Sequence, residues 1–195
     1  MNAPRLILAS ASPRRKELLT EAGFDFVVIP ALAEELHDSQ LTARELCQLN
    51  AHRKARSVAK QYPDDIILGA DTLVYLGTTL YGKPSDRADA RRMLGELQGT
   101  RHQVVTGVSL IQWRSQKERL FAETTHVTFR HLKPDILDEY LRKVETLDKA
   151  GAYAIQEQGD ALVESIEGSY SNVVGLPVER ISQELRLLGI SNSTG

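Results

Sequence analysis

Along this chain, short apolar runs of strand length alternate with segments whose apolar residues recur every three to four positions, the pattern of an α/β protein. Leu6 to Ala9 reads as a short buried strand. Ser12-Pro13 follows, an N-cap residue ahead of a proline at the first helical position, and opens a helix that runs to about Ala22 and stops at Gly23. Phe26 to Ile29 is a second strand. Thr42 and Glu45 form a capping-box pair before a long helix to about Gln61, ended ahead of Pro63. Ile66 to Ala70 reads as a third buried strand, and Leu73 to Tyr81 as a hairpin turning at Gly77. Ser85 is expected to cap a helix over Asp86 to Leu97, with Ala90, Met93, Leu94 and Leu97 on one apolar face and a stop at Gly99. Two β-rich segments, Gln103 to Gln112 and Leu120 to Phe129, precede a helix after Pro134, a strand around Leu162 to Ile166, and an amphipathic helix from about Pro177 to Leu188. Residues 191–195 are small and polar and are expected to fray. No repeat, low-complexity tract or linker-like boundary interrupts this order, so residues 1–190 are expected to form one domain.

Composition narrows the function classes. The 195 residues (21.7 kDa) carry 24 Lys and Arg against 26 Asp and Glu, a net charge of −2 with a pI near 6.2. A general nucleic-acid coat needs a strong basic excess, so nucleic acid is not an expected partner. No apolar run approaches the roughly 18 to 20 residues of a membrane helix. The stretch after Met-Asn-Ala-Pro-Arg is too short for a signal-peptide core. The single cysteine, Cys47, allows neither an internal disulfide nor a cysteine-based zinc cluster. A cytoplasmic, reducing setting fits these features.

Three features break the rules a purely structural sequence would follow. Arg14, Arg15 and Lys16 crowd the first turn of the helix that Pro13 opens, where about half a positive charge already sits and acidic residues are favoured. An anion on the free N–H groups would turn this cost into a phosphate site, whereas a solvated basic helix start needs no ligand. Lys54 falls inside the narrow arc of Ala43, Cys47, Ala51 and Val58, a buried stripe at about 100° per residue. There it must either snorkel to solvent or meet a negative partner. Asp71 ends the run Ile66-Ile67-Leu68-Gly69-Ala70, and a carboxylate beyond the end of a strand is a candidate metal ligand or base, or else a turn-forming residue. Close behind comes Gly82-Lys83-Pro84, a second cation held by its turn.

Familiar alternatives fail on the residues. There is no Gly-x-x-x-x-Gly-Lys-Ser/Thr loop, no Gly-x-Gly-x-x-Gly turn and no Gly-x-Ser-x-Gly elbow. The five histidines, His37, His52, His102, His126 and His131, show no metal-binding spacing; His102 and His126 read as packing or surface residues.

The segments Ala9-Ser10-Ala11-Ser12-Pro13-Arg14-Arg15, Glu34-Glu35, Lys54-Ala55, Gly69-Ala70-Asp71-Thr72 and Gly82-Lys83-Pro84 resemble the Maf family of nucleotide pyrophosphatases. So do His102 to Val108, Asp148 to Gln156 and Gly168 to Pro177, in the same order and over nearly the whole chain. The resemblance implies an elongated mixed β-sheet flanked by helices around a central nucleotide-binding cleft, similar to the inosine triphosphate pyrophosphatases. It implies a cytoplasmic, often dimeric house-cleaning enzyme that cleaves nucleoside triphosphates to the monophosphate and pyrophosphate with a divalent metal cation, Mg2+ or Mn2+. Carried onto this sequence, it assigns Asp71 as proton acceptor and Ser10, Arg14, Glu35, Lys54 and Lys83 to triphosphate or metal handling, with Glu35 and Asp71 as metal ligands. Arg14, Thr72 and Gln156 fall on the positions that separate subfamilies, and here resemble the branch acting on dTTP and UTP. Its alternatives are the 7-methyl-GTP branch and a septum-formation regulator acting through a partner. Two departures stand out: Glu34 replaces the usual Asp, which leaves either Glu34 or Glu35 as the ligand, and Arg53 replaces the usual Glu before Lys54.

The residues suit such chemistry on their own terms. Attack of water on the α-phosphorus needs the triphosphate charge neutralised, the water oriented and the departing pyrophosphate stabilised. Arg14 and Arg15 at the helix start, Lys54 and Lys83 supply cations, and Glu35 and Asp71 can hold a magnesium ion through one or two carboxylates. Nearby lysines are expected to push the Asp71 pKa below its usual value of about 3.9, so that it orients or deprotonates a water polarised by the ion. A Gln156 amide can pair with uracil's N3–H and O4, or rotated with cytosine's N3 and amine, so it discriminates only if neighbours fix its orientation.

Overall fold

The computed structural model describes residues 4–192. The chain runs β1 (Leu6–Leu8), α1 (Pro13–Glu21), β2 (Phe26–Val28), α2 (Ala43–Ala59), β3 (Ile66–Leu76), β4 (Thr79–Tyr81), α3 (Arg87–Leu97), β5 (Arg101–Gln112) and β6 (Lys117–Phe129). It continues through α4 (Pro134–Lys143), a 3-10 turn (Ala150–Ala152), α5 (Gly159–Leu162), β7 (Val163–Glu167), α6 (Tyr170–Val174) and α7 (Val178–Leu187). The seven strands form a mixed sheet in the order β2-β1-β3-β5-β6-β7, with β4 paired to β3. β1 runs parallel to both β2 and β3, its Leu6 opposite Phe26 and Ile66, and parallel neighbours need the crossovers that α1 and α2 supply. The pairs β3–β4 and β6–β7 are antiparallel. No helix among the described residues is long and apolar enough to cross a membrane.

Local chemistry accounts for the element ends. The Thr42–Glu45 capping box starts α2 as expected, with the Glu45 N–H donating to Thr42 Oγ1 and the Thr42 N–H to Glu45 Oε2. One expected cap is corrected. Asp86, not Ser85, caps α3 by accepting the Asp89 N–H at 2.8 Å, while the Ser85 N–H donates to Asp89 Oδ2. Ser12 occupies the N-cap of α1 but makes no side-chain cap; its N–H donates to Ser10 Oγ at 3.2 Å. Helices α5 and α6 and the 3-10 turn went unforeseen, since elements of three to five residues complete too little of a 3.6-residue period to show a pattern. Of the tail expected to fray, residues 193–195 lie outside the described residues, and the Asn192 amide donates to the Ala22 carbonyl at 2.9 Å.

The chain divides into two compact units, and β3, β5 and β6 run from one into the other. The first unit takes in the described parts of Met1–Asp71, Thr106–Glu123 and Gly175–Gly195. Here β1 is buried along its whole length, and α2 lies against the sheet through Cys47, Ala51 and Ala55, all fully buried. Two glycines set how close the helix comes. A Cβ at Gly69 would stand 2.4 Å from the Ala51 carbonyl oxygen and 2.7 Å from the Ala55 nitrogen, and one at Gly107 would stand 2.3 Å from the Cys47 carbonyl. Helix backbone therefore rests directly on strand backbone.

The second unit comprises Thr72–Val105 and Thr124–Val174. Its core joins Val74, Met93, Leu94, Val104, Phe129 and Tyr140. His102 belongs to this core, as its reading as a packing residue anticipates: its ring lies edge-on to Phe129, with centroids 4.7 Å apart, and its Nε2 is 3.0 Å from Tyr153 Oη. Burial pushes the His102 pKa down from 6.5 to about 4. Because the folded value lies below the unfolded one, the unfolded chain takes up the proton first. Stability is therefore fully present above pH 6.5, falls between pH 6.5 and about 4, and levels off below. The loss should total about 3 kcal/mol, from 1.36 kcal/mol per pKa unit. Urea unfolding of the parent and of His102→Gln from pH 7 to pH 4 checks this. An equal acid dependence in both proteins contradicts it.

Candidate active site

Asp71 does not end a strand, as its sequence context had suggested, but lies inside the eleven-residue β3. The strand continues because Val74 to Leu76 still pair with Thr79 to Tyr81 of β4. Successive side chains of a strand alternate faces, so Asp71 shares with Gly69 the face that α2 covers. The close approach permitted by Gly69 and Gly107 brings two polar residues of α2, one turn apart, onto this carboxylate. Lys54 Nζ donates to Asp71 Oδ1 at 2.7 Å, and Asn50 Nδ2 to Asp71 Oδ2 at 3.2 Å. Lys54 Nζ also donates to Glu35 Oε1 at 2.6 Å. The lysine on the buried stripe thus meets negative partners rather than snorkelling. Glu35, rather than its neighbour Glu34, is the carboxylate it reaches.

The electrostatics differ from expectation in one respect. The Asp71 side chain is only 5% exposed, and burial raises its pKa above the ordinary Asp value. Lys54 and Arg15 act in the opposite direction and Glu35 adds to the rise, but desolvation outweighs the lysine. This corrects the expected lowering and makes Asp71 a better proton acceptor.

Ser10 and the basic helix start lie in the same unit. Arg15 turns inward. Its Nε donates to the Gly175 carbonyl at 2.9 Å, and its Nη1 to the Ala70 carbonyl at 2.9 Å and to Ser10 Oγ at 3.3 Å. Burial lowers the Arg15 pKa from its ordinary value, but a guanidinium stays protonated, and three of its N–H contacts go to these oxygens. It ties the loop after β1 to the residue before Asp71. Arg14 is half-buried and Lys16 exposed on α1.

The second unit carries Thr72, Lys83 and Gln156. Thr72 is half-buried and, next to Asp71 on β3, points to the opposite face. Lys83 is exposed in the turn after β4, where the Gly82 carbonyl accepts the Gly151 N–H at 3.0 Å. Gly151 has φ +70°, and a Cβ there would stand 2.9 Å from Val74 Cγ2, so both conformation and space require glycine. Gln156 is exposed in the turn that follows this segment. Two residues before it, the backbone is pinned by Tyr140 Oη, which accepts the Ala154 N–H at 2.9 Å and donates to the Ala154 carbonyl at 3.3 Å.

Asn50, Arg15 in its inward role and Tyr140 are residues that sequence reasoning missed. Only Asn50 left a signal: it precedes Lys54 by one helical turn, a second polar residue beside the buried stripe.

Glu35 and Asp71 both direct a carboxylate oxygen at one point, which Lys54 Nζ takes. Among the described residues no group of three His, Cys, Asp or Glu could hold a metal ion. Two carboxylates suit a magnesium-like cation, which is commonly held by one or two carboxylates together with substrate phosphates.

Comparison with known proteins adds three findings. The family described as "Maf-like protein" matches residues 5–188. A dTTP/UTP pyrophosphatase of Gloeobacter violaceus is 51% identical over 172 residues, covering 88% of this chain and 90% of its own, and one of Symbiobacterium thermophilum is 47% identical over 192 residues, covering 98% and 97%. The solved structure of a HAM1 protein from Coxiella burnetii is a looser likeness, with a TM-score of 0.42 and 15% identity over 65% of this chain and 73% of that one.

Proposed function

The chain belongs to the Maf family, and on that premise we propose that it is a nucleoside triphosphate pyrophosphatase that hydrolyses dTTP and UTP to the nucleoside monophosphate and pyrophosphate. The observation that carries the reading is the buried carboxylate of Asp71, held by Lys54 and Asn50 beside Glu35, in a chain 47% identical over 192 residues to a protein named dTTP/UTP pyrophosphatase.

Asp71 is the proton acceptor for the attacking water. Its raised pKa brings it closer to the proton-transfer optimum near neutral pH, and its rigid hold on α2 fixes the direction from which it acts. Lys54, Arg14 with the N–H groups that open α1, and Lys83 stabilise the negative charge on the triphosphate and on the departing pyrophosphate. Ser10 donates its hydroxyl to a phosphate oxygen. Glu35 and Asp71 would hold a divalent cation, Mg2+ or Mn2+. When bound, such an ion neutralises phosphate charge and lowers the pKa of water. Gln156 reads the base: its Oε1 accepts the N3–H of uracil or thymine while its Nε2 donates to O4, from a turn whose preceding backbone Tyr140 pins at Ala154. Thr72 contributes to specificity from the opposite face of β3.

The test is pyrophosphate release from dTTP, UTP, CTP and 7-methyl-GTP with Mg2+ or Mn2+. The expected result is kcat/KM for dTTP and UTP above that for the other two by about tenfold or more, the discrimination a hydrogen-bonding base site supplies. Preference for 7-methyl-GTP would overturn the substrate assignment. No release from any of the four would favour a regulatory protein over an enzyme.

A further inference from the structure

Asn50 is 3% exposed, and its amide is fully committed. Oδ1 accepts the Leu36 N–H at 2.8 Å, and Nδ2 donates both to the Leu36 carbonyl at 3.2 Å and to Asp71 Oδ2 at 3.2 Å. A flipped amide would set donor against donor at Leu36 and oxygen against carboxylate at Asp71, so the orientation is unique. Toward Leu36, the side chain pairs with the backbone as a neighbouring strand would, at a place where the chain from Ile29 to Leu41 has no helix or strand of its own.

The next residue toward the N-terminus is Glu35, held by Lys54 one turn along α2 from Asn50. The contacts close a ring: Leu36 to Asn50, Asn50 to one oxygen of Asp71, Lys54 to the other oxygen, Lys54 to Glu35, and Glu35 to Leu36 through the chain. Ile29 and Ala31 pack against the core at the start of the segment. Leu32, three residues before Glu35, is 97% exposed. Lys54 reaches Glu35 by the end of a flexible side chain, whereas Asn50 fixes the adjacent backbone at two points.

We propose that Asn50 is a positioning residue: it clamps the Glu35-bearing segment at Leu36 and orients the Asp71 carboxylate, so that the two acidic groups are set at a fixed separation before nucleotide and metal arrive. This rests on the reading of Glu35 and Asp71 as the carboxylates that would hold the cation, with Asp71 the proton acceptor. A partner that orients a ligating carboxylate is typically worth about 10- to 100-fold in activity or metal affinity.

The experiment uses the full chain and two variants, Asn50→Ala and Asn50→Leu, the second keeping the branched side-chain shape without the amide. Both should lower kcat for dTTP by about 10- to 100-fold and raise the Mg2+ concentration for half-maximal rate, with KM for dTTP changed far less, because the phosphate-binding cations are untouched. Independently of turnover, hydrogen exchange measured without nucleotide or metal should quicken in residues 33–40 of both variants, with α2 and β3 as protected as in the parent. Parent-like kcat and parent-like exchange in residues 33–40 would overturn the proposal. So would a loss of activity that only follows a loss of folded protein, seen as faster exchange throughout α2 and β3. A parent chain that releases no pyrophosphate would overturn the proposed function instead, and the exchange comparison would still decide whether Asn50 clamps the segment.

Discussion

Replacing Asp71 by Asn should lower kcat for dTTP by about 10^2- to 10^4-fold, the range for loss of a positioned general base, while nucleotide binding holds. The substitution is close to isosteric: with the new amide oxygen accepting from Asn50 Nδ2, the amide nitrogen takes the place of Oδ1 and Lys54 Nζ must turn away from it. Lys54 keeps Glu35 as a partner, 2.6 Å away, so no ammonium is left buried and alone. The fold should therefore survive, and the loss should reflect the missing carboxylate rather than unfolding. Single-turnover pyrophosphate release gives the rate, and equilibrium binding of a non-hydrolysable dTTP analogue gives the affinity. The acid limb of kcat/KM in the parent should lie above the ordinary Asp value of about 3.9, since burial raises this pKa, and should vanish in the variant. A variant within roughly tenfold of the parent rate would remove Asp71 from the proton-acceptor role.

Gly107→Ala should be strongly damaging. The added carbon would lie 2.3 Å from the Cys47 carbonyl and 2.5 Å from the Gln48 nitrogen, and backbone cannot swing aside as a side chain can. Restoring ordinary contact moves α2 off the sheet by about 1 Å, and forcing atoms into a packed interior costs about 1–3 kcal/mol or more. Activity should fall further than stability, because α2 carries Lys54 and Asn50 to Asp71, and a displacement of about 1 Å can cost about 10^2-fold in rate. Gly69→Ala, facing the Ala51 carbonyl at 2.4 Å, should behave alike. Gly95, with nothing within 4 Å of a Cβ on helix α3, is the control, and alanine there should stabilise by about 0.5–1 kcal/mol. Urea unfolding and kcat at a temperature where all variants are folded provide the comparison. Parent-like stability and rate in Gly107→Ala would show that the helix does not depend on this contact.

Much of the architecture was readable because its signals are local. The Thr42–Glu45 box, the Pro13 start of α1 and the turns at Gly77 and Gly99 depend on neighbours a few residues away. Periodicity likewise placed Ala43, Cys47, Ala51 and Val58 on a buried stripe and marked Lys54 as a charge among them. What periodicity could not say was where β3 ends. An acidic residue after an apolar run looks the same in sequence whether the strand stops there or carries the carboxylate under a helix.

That difference depends on contacts distant in the chain. The partners of Lys54 lie 19 residues before it, at Glu35, and 17 after it, at Asp71. Arg15 finds its carbonyls 55 and 160 residues away, at Ala70 and Gly175. Such pairings are set by sheet order and by how near α2 approaches through Gly69 and Gly107, and no spacing along the sequence encodes them. The direction of the Asp71 pKa shift is of the same kind. Its lysine neighbour was foreseeable, but desolvation is a property of the assembled layers, and here it outweighs the lysine. The sequence by itself determined which residue types, in which order, could form an α/β nucleotide-cleaving site. Only the tertiary structure decided which of them meet, since burial and proximity arise from packing between segments rather than from the chemistry of any one of them.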